Sequence, residues 1–172
     1  MAKRWTMIFG VAPLLCVAAA PSPIIGFDGV APVRVGMSLA QAKQLLHGKF
    51  SIQPPSEDDP NGCGYLIANS RQGDVGYMFD KGRIRRADVE NSPKSPIRTA
   101  AGIGVGSSVA DIRRAYGERA RSHPNAYSAP EPDFEIKSPD GKAAIIFETI
   151  EGRVALIRAG QLPWAEFIEG CS

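Results

Sequence analysis

Few residues in this 172-residue chain are of a type and spacing that could do chemistry, and the glycine-rich stretch over 101–117 is the most prominent. In AGIGVGSSVADIRRAYG, Gly102, Gly104 and Gly106 run into two serines and then an amphipathic pattern. A phosphate-cradling loop at a helix start has the same appearance. A dinucleotide fingerprint, however, needs G-x-G-x-x-G directly after a buried strand, with an acidic residue about 20 positions on. Here the spacing is G-x-G-x-G and the preceding segment is SPIRTAA. A Walker loop needs a lysine before the serine, and none stands there. The stretch is expected to start a helix, not to hold a phosphate.

The remaining candidates form no complete constellation. His47 falls at the end of a predicted helix, where a cation suits the dipole, and His123 lies in the loop SHPNAY with Tyr127. A zinc site needs three or four ligands, and no His/Cys/Asp cluster in the sequence supplies them. His123 could serve as a base, but no G-x-S-x-G elbow accompanies it. The acidic runs SEDDP (Glu57, Asp58, Asp59) and EPDFE (Glu131, Asp133, Glu135) sit in proline-rich segments. Such runs read as solvated surface rather than a glycosidase pair or a calcium loop. The chain therefore reads as non-enzymatic, with no catalytic residue, metal or cofactor expected; a small hydrolase using His123 is the enzymatic alternative.

The ends and the cysteines bear on location. MAKRW carries Lys3 and Arg4, an apolar run follows, and Ala18–Ala20 close it, the three parts of a secretory signal peptide. The expected signal peptide is 1–19, with cleavage after Ala19. Lipidation at Cys16 is the rival reading, opposed by Leu15 where a small residue would be needed. The run is too short to span a bilayer, so the chain is expected not to be membrane-spanning. Loss of Lys3 and Arg4 takes the net charge of +2 to near neutrality, which argues against nucleic acid as a partner. Cys63 and Cys171 remain, and in an oxidising compartment they are expected to bridge, buried free thiols being the alternative.

What would position any site is a repeated plan. VRVGMSLAQAKQLLHGK (33–49) aligns with IGVGSSVADIRRAYGE (103–118), and YMFDKGRIRRADV (77–89) with IIFETIEGRVALIRAG (145–160). Ser38 with Gln41, and Ser108 with Asp111, have capping-box spacing. Strands are expected at CGYLIAN, DVGYMFD and RIRRADV, then DFEIKS, KAAIIFETI and RVALIRA, with a seventh at WAEFIEGC. The expected fold is α+β: two copies of a helix followed by an antiparallel three- to four-stranded meander, over 27–92 and 93–172.

Strand alternation puts Ile84, Arg86 and Asp88 on one face, their counterparts in the second copy being Val154, Leu156 and Arg158, so that Arg86 stands where the other copy places a leucine. Arg86 either lies on an open part of the sheet or forms a recognition spot with Tyr65 or Tyr77 as aromatic platform. His123 and Tyr127 are the other weak binding candidates.

The duplicated glycine–serine helix start and meander resembles the tandem-repeat exported bacterial proteins typified by the beta-lactamase inhibitor protein. VGMSLAQAKQLL also resembles the helix of SmpA/OmlA-type outer-membrane assembly lipoproteins. The resemblance implies a paired helix-plus-sheet fold whose sheet engages a protein. Cys63 and Cys171 lie in different halves, unlike that inhibitor's pattern, and no functional residues carry over. The expected function is an exported, periplasmic or secreted, binding protein for another envelope or secreted protein. A carbohydrate- or peptidoglycan-binding, lectin-like module is the alternative.

Overall fold

The computed structural model describes residues 23–68, 75–90, 95–127 and 130–171. The signal-peptide reading, its cleavage site and Cys16 lie outside the described residues. Helix α1 (Leu39–Leu45) starts at Ser38 and α2 (Val109–Tyr116) at Ser108. Each serine Oγ accepts from the backbone N–H three residues on, at 3.2 and 3.1 Å. Gln41 Oε1 and Asp111 Oδ2 in turn accept from the serine N–H groups at 2.9 and 3.0 Å. These reciprocal bonds satisfy helix-start donors that would otherwise have no intrahelical partner. The bonds to Ser108, and then Arg114, hold the Asp111 carboxyl down at about 2.

Two residues before each cap stands a glycine with positive φ, Gly36 at 91° and Gly106 at 84°, a conformation that a side chain disfavours. Their N–H groups donate to Ile84 O and Val154 O, both at 2.8 Å. Arg83 and Arg153 Nη1 return bonds to Gly36 O and Gly106 O at 3.1 and 3.0 Å. In the glycine-rich stretch the Gly102 and Gly104 N–H groups also have internal acceptors, Thr99 O and Ser107 Oγ. No fan of free amides is left to cradle a phosphate.

The strands are β1 (Ile25–Gly26), β2 (Gly29–Val30), β3 (Phe50–Gln53), β4 (Cys63–Ala68), β5 (Val75–Asp80) and β6 (Arg83–Val89), followed after α2 by four more. Those are β7 (Arg121–Pro124), β8 (Pro132–Lys137), β9 (Ala143–Ile150) and β10 (Arg153–Gln161). β1 and β2 form a small hairpin; the rest make one antiparallel sheet in the order β3-β4-β5-β6-β10-β9-β8-β7.

The expected two helix-and-meander copies are therefore corrected. The described residues hold one eight-stranded sheet with two short helices, not two meanders. The cause is the seam: β6 and β10 pair from Ile157↔Val89 to Gly160↔Arg86. Gly160 is needed there, because a Cβ would meet the Arg85 carbonyl oxygen and lie 2.6 Å from Arg86 Cα. Phe50–Gln53, just ahead of the proline-rich SEDDP segment, and Arg121–Pro124, which takes in the start of the expected SHPNAY loop, are edge strands. The expected seventh strand is a 3-10 turn, Trp164–Glu166, followed by an irregular tail.

One face of the sheet buries the main core. Leu66, Tyr77, Phe79, Ile84, Phe134, Phe147 and Ile157 pack there with Val33, Ala42 and Ile112 from the covering segments. The opposite face has a much smaller apolar cluster of Ala144, Ile146 and Ala165. Chemistry of a different kind occupies the rest of it.

Candidate functional site

A β-bulge decides which side chains reach this second face. Ile84 pairs with Phe79 and Arg86 with Met78, leaving Arg85 as an extra residue on β6. An inserted residue reverses the alternation beyond it. Ile84 therefore points into the core with Ala87 and Val89, while Arg86 and Asp88 take the opposite side. A matching shift between Val154 and Leu156 does the same on β10. The expectation that Ile84, Arg86 and Asp88 share a face is corrected accordingly.

Arg86 is not open to solvent: it is 2 % exposed. Its Nη1 donates to the carbonyls of Trp164 and Phe167 at 2.8 and 2.7 Å. Nη2 donates to Tyr65 Oη at 2.5 Å and Asp88 Oδ2 at 2.8 Å, and Nε lies 2.7 Å from Asp88 Oδ1. A guanidinium has five N–H donors; the four on Nη1 and Nη2 donate within the chain, and Nε is buried against Asp88 as an ion pair without a hydrogen bond. Tyr65 donates onward to Asp88 Oδ2 at 3.0 Å. Burial, and then the Asp88 charge, push the Tyr65 phenol well above its ordinary range. Burial also pushes the Asp88 carboxyl up, against the downward pull of Arg86, Tyr65 and Arg158. This triad pins structure and has no donor left for a ligand. Tyr77 lies on the core face, where its hydroxyl donates to Val30 O at 2.9 Å.

What Arg86 pins is the chain's end. Residues 162–171 cross the second face as a strap, from the end of β10 to a disulfide joining Cys171 to Cys63 on β4. Arg158 Nη1 donates to Phe167 O and Ile168 O at 3.4 and 3.3 Å. The Arg85 guanidinium sits 4.3 Å from the Trp164 ring centroid, an attractive cation–π contact. Tyr127 reaches the strap from the β7–β8 connection, its hydroxyl donating to Glu169 at 3.2 Å.

Three hollows border the strap, and Ile168 lines each of them. The largest, about 930 Å³, lies against Cys63, Tyr127, Trp164, Phe167 and Cys171. A second, about 480 Å³, runs over Tyr65, Arg86 and Leu156. The smallest, about 220 Å³, lies over Glu135, Ile146 and Arg158. His123 is at its rim, with Nε2 3.4 Å from Glu135 Oε2. The structure thus brings Arg86, Tyr65, Tyr127 and His123 to the strapped face and leaves Tyr77 on the other.

Arg158, Glu135 and Trp164 also belong to this face. Glu135, expected as solvated surface, is 5% exposed; the sequence offers Arg158 only as the counterpart of Asp88, and Trp164 only as part of an expected strand. The signal was present as a charge between apolar residues in a strand, in Phe134-Glu135-Ile136 and Ile157-Arg158-Ala159. Without the strap's position, both alternations read as a solvent-facing side.

No protein-family model matches the chain, and no curated protein matches its sequence. Among solved structures it is similar to a cysteine-rich secretory protein from Staphylococcus aureus subsp. aureus Mu50, with a TM-score of 0.47 and 10% identity. That match covers 79% of this chain and 47% of the other. It is also similar to an extracellular protein containing a SCP domain from Bacillus anthracis str. Ames, with a TM-score of 0.46 and 10% identity. There the coverage is 74% of this chain and 44% of the other. The chain spans less than half the length of either structure. Neither is a beta-lactamase inhibitor protein or an SmpA/OmlA-type lipoprotein, and the resemblance to those families is corrected on this finding. Among the described residues no helix is long and apolar enough to cross a membrane.

Proposed function

We propose that this chain is an exported, non-enzymatic binding protein that engages another envelope or secreted protein through the strapped face of its sheet. The observation that carries this reading is the exposure of Tyr127, Phe167 and Ile168, at 64, 43 and 47%. All three line the one groove of about 930 Å³. Large apolar side chains gathered on a rigid surface are characteristic of protein-binding sites. The disulfide and the Arg86 bonds support the reading by fixing the strap before a partner arrives, which lowers the ordering cost of association. The disulfide and the apolar N-terminus support export. Arg86 and Tyr65 act here as the strap's anchors and not as contacts, and no catalytic role is proposed for His123.

The test is crosslinking capture from an envelope extract with the wild-type chain and a Tyr127→Ser/Phe167→Ser variant. The expected result is one dominant protein captured by the wild type and lost with the variant. Equal capture by both, or recovery of glycan alone, sinks the proposal; a glycan array reads the lectin-like alternative directly.

A further inference from the structure

We propose that the small cavity beneath the strap, over β8, β9 and β10, binds a free α-amino acid with a small side chain. Glu135 pairs with Ile146, and Ile146 pairs with Arg158. The three side chains therefore stand in one row across three strands, with an acid at one end, a base at the other and an apolar residue between. All three line the cavity, and Ile168 and Glu166 of the strap complete its wall.

The two charged ends lack full partnership. Arg158 is 2 % exposed. Its Nη1 makes the two long bonds to the strap and lies 3.6 Å from Glu148. Nε is buried with no hydrogen bond, and Asp88 stands opposite on β6. Glu135 is 5% exposed, and its Oε1 is buried without a hydrogen bond. Lys137 Nζ and His123 Nε2 stand at 3.4 Å from its two oxygens, distant for charge-assisted bonds. Arg86 in the neighbouring row is better served, with four hydrogen bonds from its two Nη atoms and Nε 2.7 Å from Asp88.

Leaving such groups unmet inside a protein is costly. An anion alone would face the carboxylates of Glu135, Asp133 and Glu166 on the same wall, and a cation alone would leave Arg158 unmet. A zwitterion meets both: its carboxylate faces the guanidinium, its ammonium faces Glu135, and its side chain rests on Ile146. At about 220 Å³ the cavity is smaller than the roughly 300 Å³ at which drug-sized ligand sites begin. That size restricts the ligand to a small side chain.

The experiment is isothermal titration calorimetry of the full, disulfide-bonded chain with L-alanine, propionate and ethylamine. Alanine is expected to bind saturably at one site, and each single-headed analogue about tenfold or more weakly. Glu135→Gln, which keeps the shape, is expected to weaken alanine about tenfold and leave propionate unchanged. If that variant does not fold, the three ligands on the wild-type chain decide alone. Absence of alanine binding at millimolar concentration, or alanine and propionate binding equally, overturns the proposal.

Discussion

Replacing Arg86 by leucine tests whether the second face is held by charge pairing. The substitution removes four hydrogen bonds and the 2.7 Å ion pair, and leaves the 5%-exposed Asp88 without its main partner. Breaking a buried pair by deleting one member costs about 3–5 kcal/mol, because the remaining charge is uncompensated. For a chain of this size that corresponds to a fall in Tm of about 10 °C. The loss must also depend on pH. Without Arg86, the Asp88 carboxyl titrates higher still in the folded state, so its ionised form is the penalised one. The deficit is therefore largest at neutral pH and shrinks as pH falls through the folded pKa toward the unfolded value of about 3.9. Adding Asp88→Leu removes the stranded charge and is expected to recover about half of the loss. Urea unfolding of the wild type, the single variant and the double variant at several pH values measures all three quantities. A single-variant loss below about 1 kcal/mol, or a double variant no better than the single, would refute the reasoning.

The disulfide closes a separation of 108 residues, for which the chain-entropy model gives about 4.8 kcal/mol. Cys63→Ser/Cys171→Ser is expected to lower the urea midpoint by an equivalent of about 2–5 kcal/mol, and an unchanged midpoint contradicts this. At the second helix start, Asp111 is held at about 2 by Ser108 and Arg114. Its contribution is present above the unfolded value of about 3.9 and is lost as pH falls through about 2. Asp111→Asn should therefore flatten that part of the acid limb in a pH series of unfolding midpoints, and an identical limb in both proteins counts against the capping account.

The helix starts were legible because capping is local: a serine, an acid or amide three residues later, and a glycine two before it are all read from adjacent positions. Strand existence was equally legible in CGYLIA and VGYMFD, where composition and alternation agree. The bulge at Arg85 was not, because an inserted residue has no mark in one strand and is defined only by its partner's register. That single residue moved Arg86 and Asp88 to the other face and changed their meaning from a recognition spot to a strap anchor. The tail failed for a different reason. WAEFIEG has strand-like composition, yet β6, β9 and β10 have no free edge beside it, so it lies over the sheet face. The row of Glu135, Ile146 and Arg158 was beyond reach for the same cause, since its members come together only once β8, β9 and β10 are in register.

The seam between β6 and β10 sets an order on how the molecule is made. Each is the last strand of its half, and each can zip onto its preceding neighbour through a short turn before the two meet. The centre of the finished sheet is thus its most non-local ladder, and non-local pairings close late. Until they do, β6 presents an unpaired backbone edge, the kind of edge that recruits other chains, blunted here by the charges of Arg83, Arg85, Arg86 and Asp88. A chain threaded from its N-terminus would carry that edge exposed until residue 160 arrived. Gly160, whose missing side chain lets the seam shut, is then as much a determinant of assembly yield as of final stability.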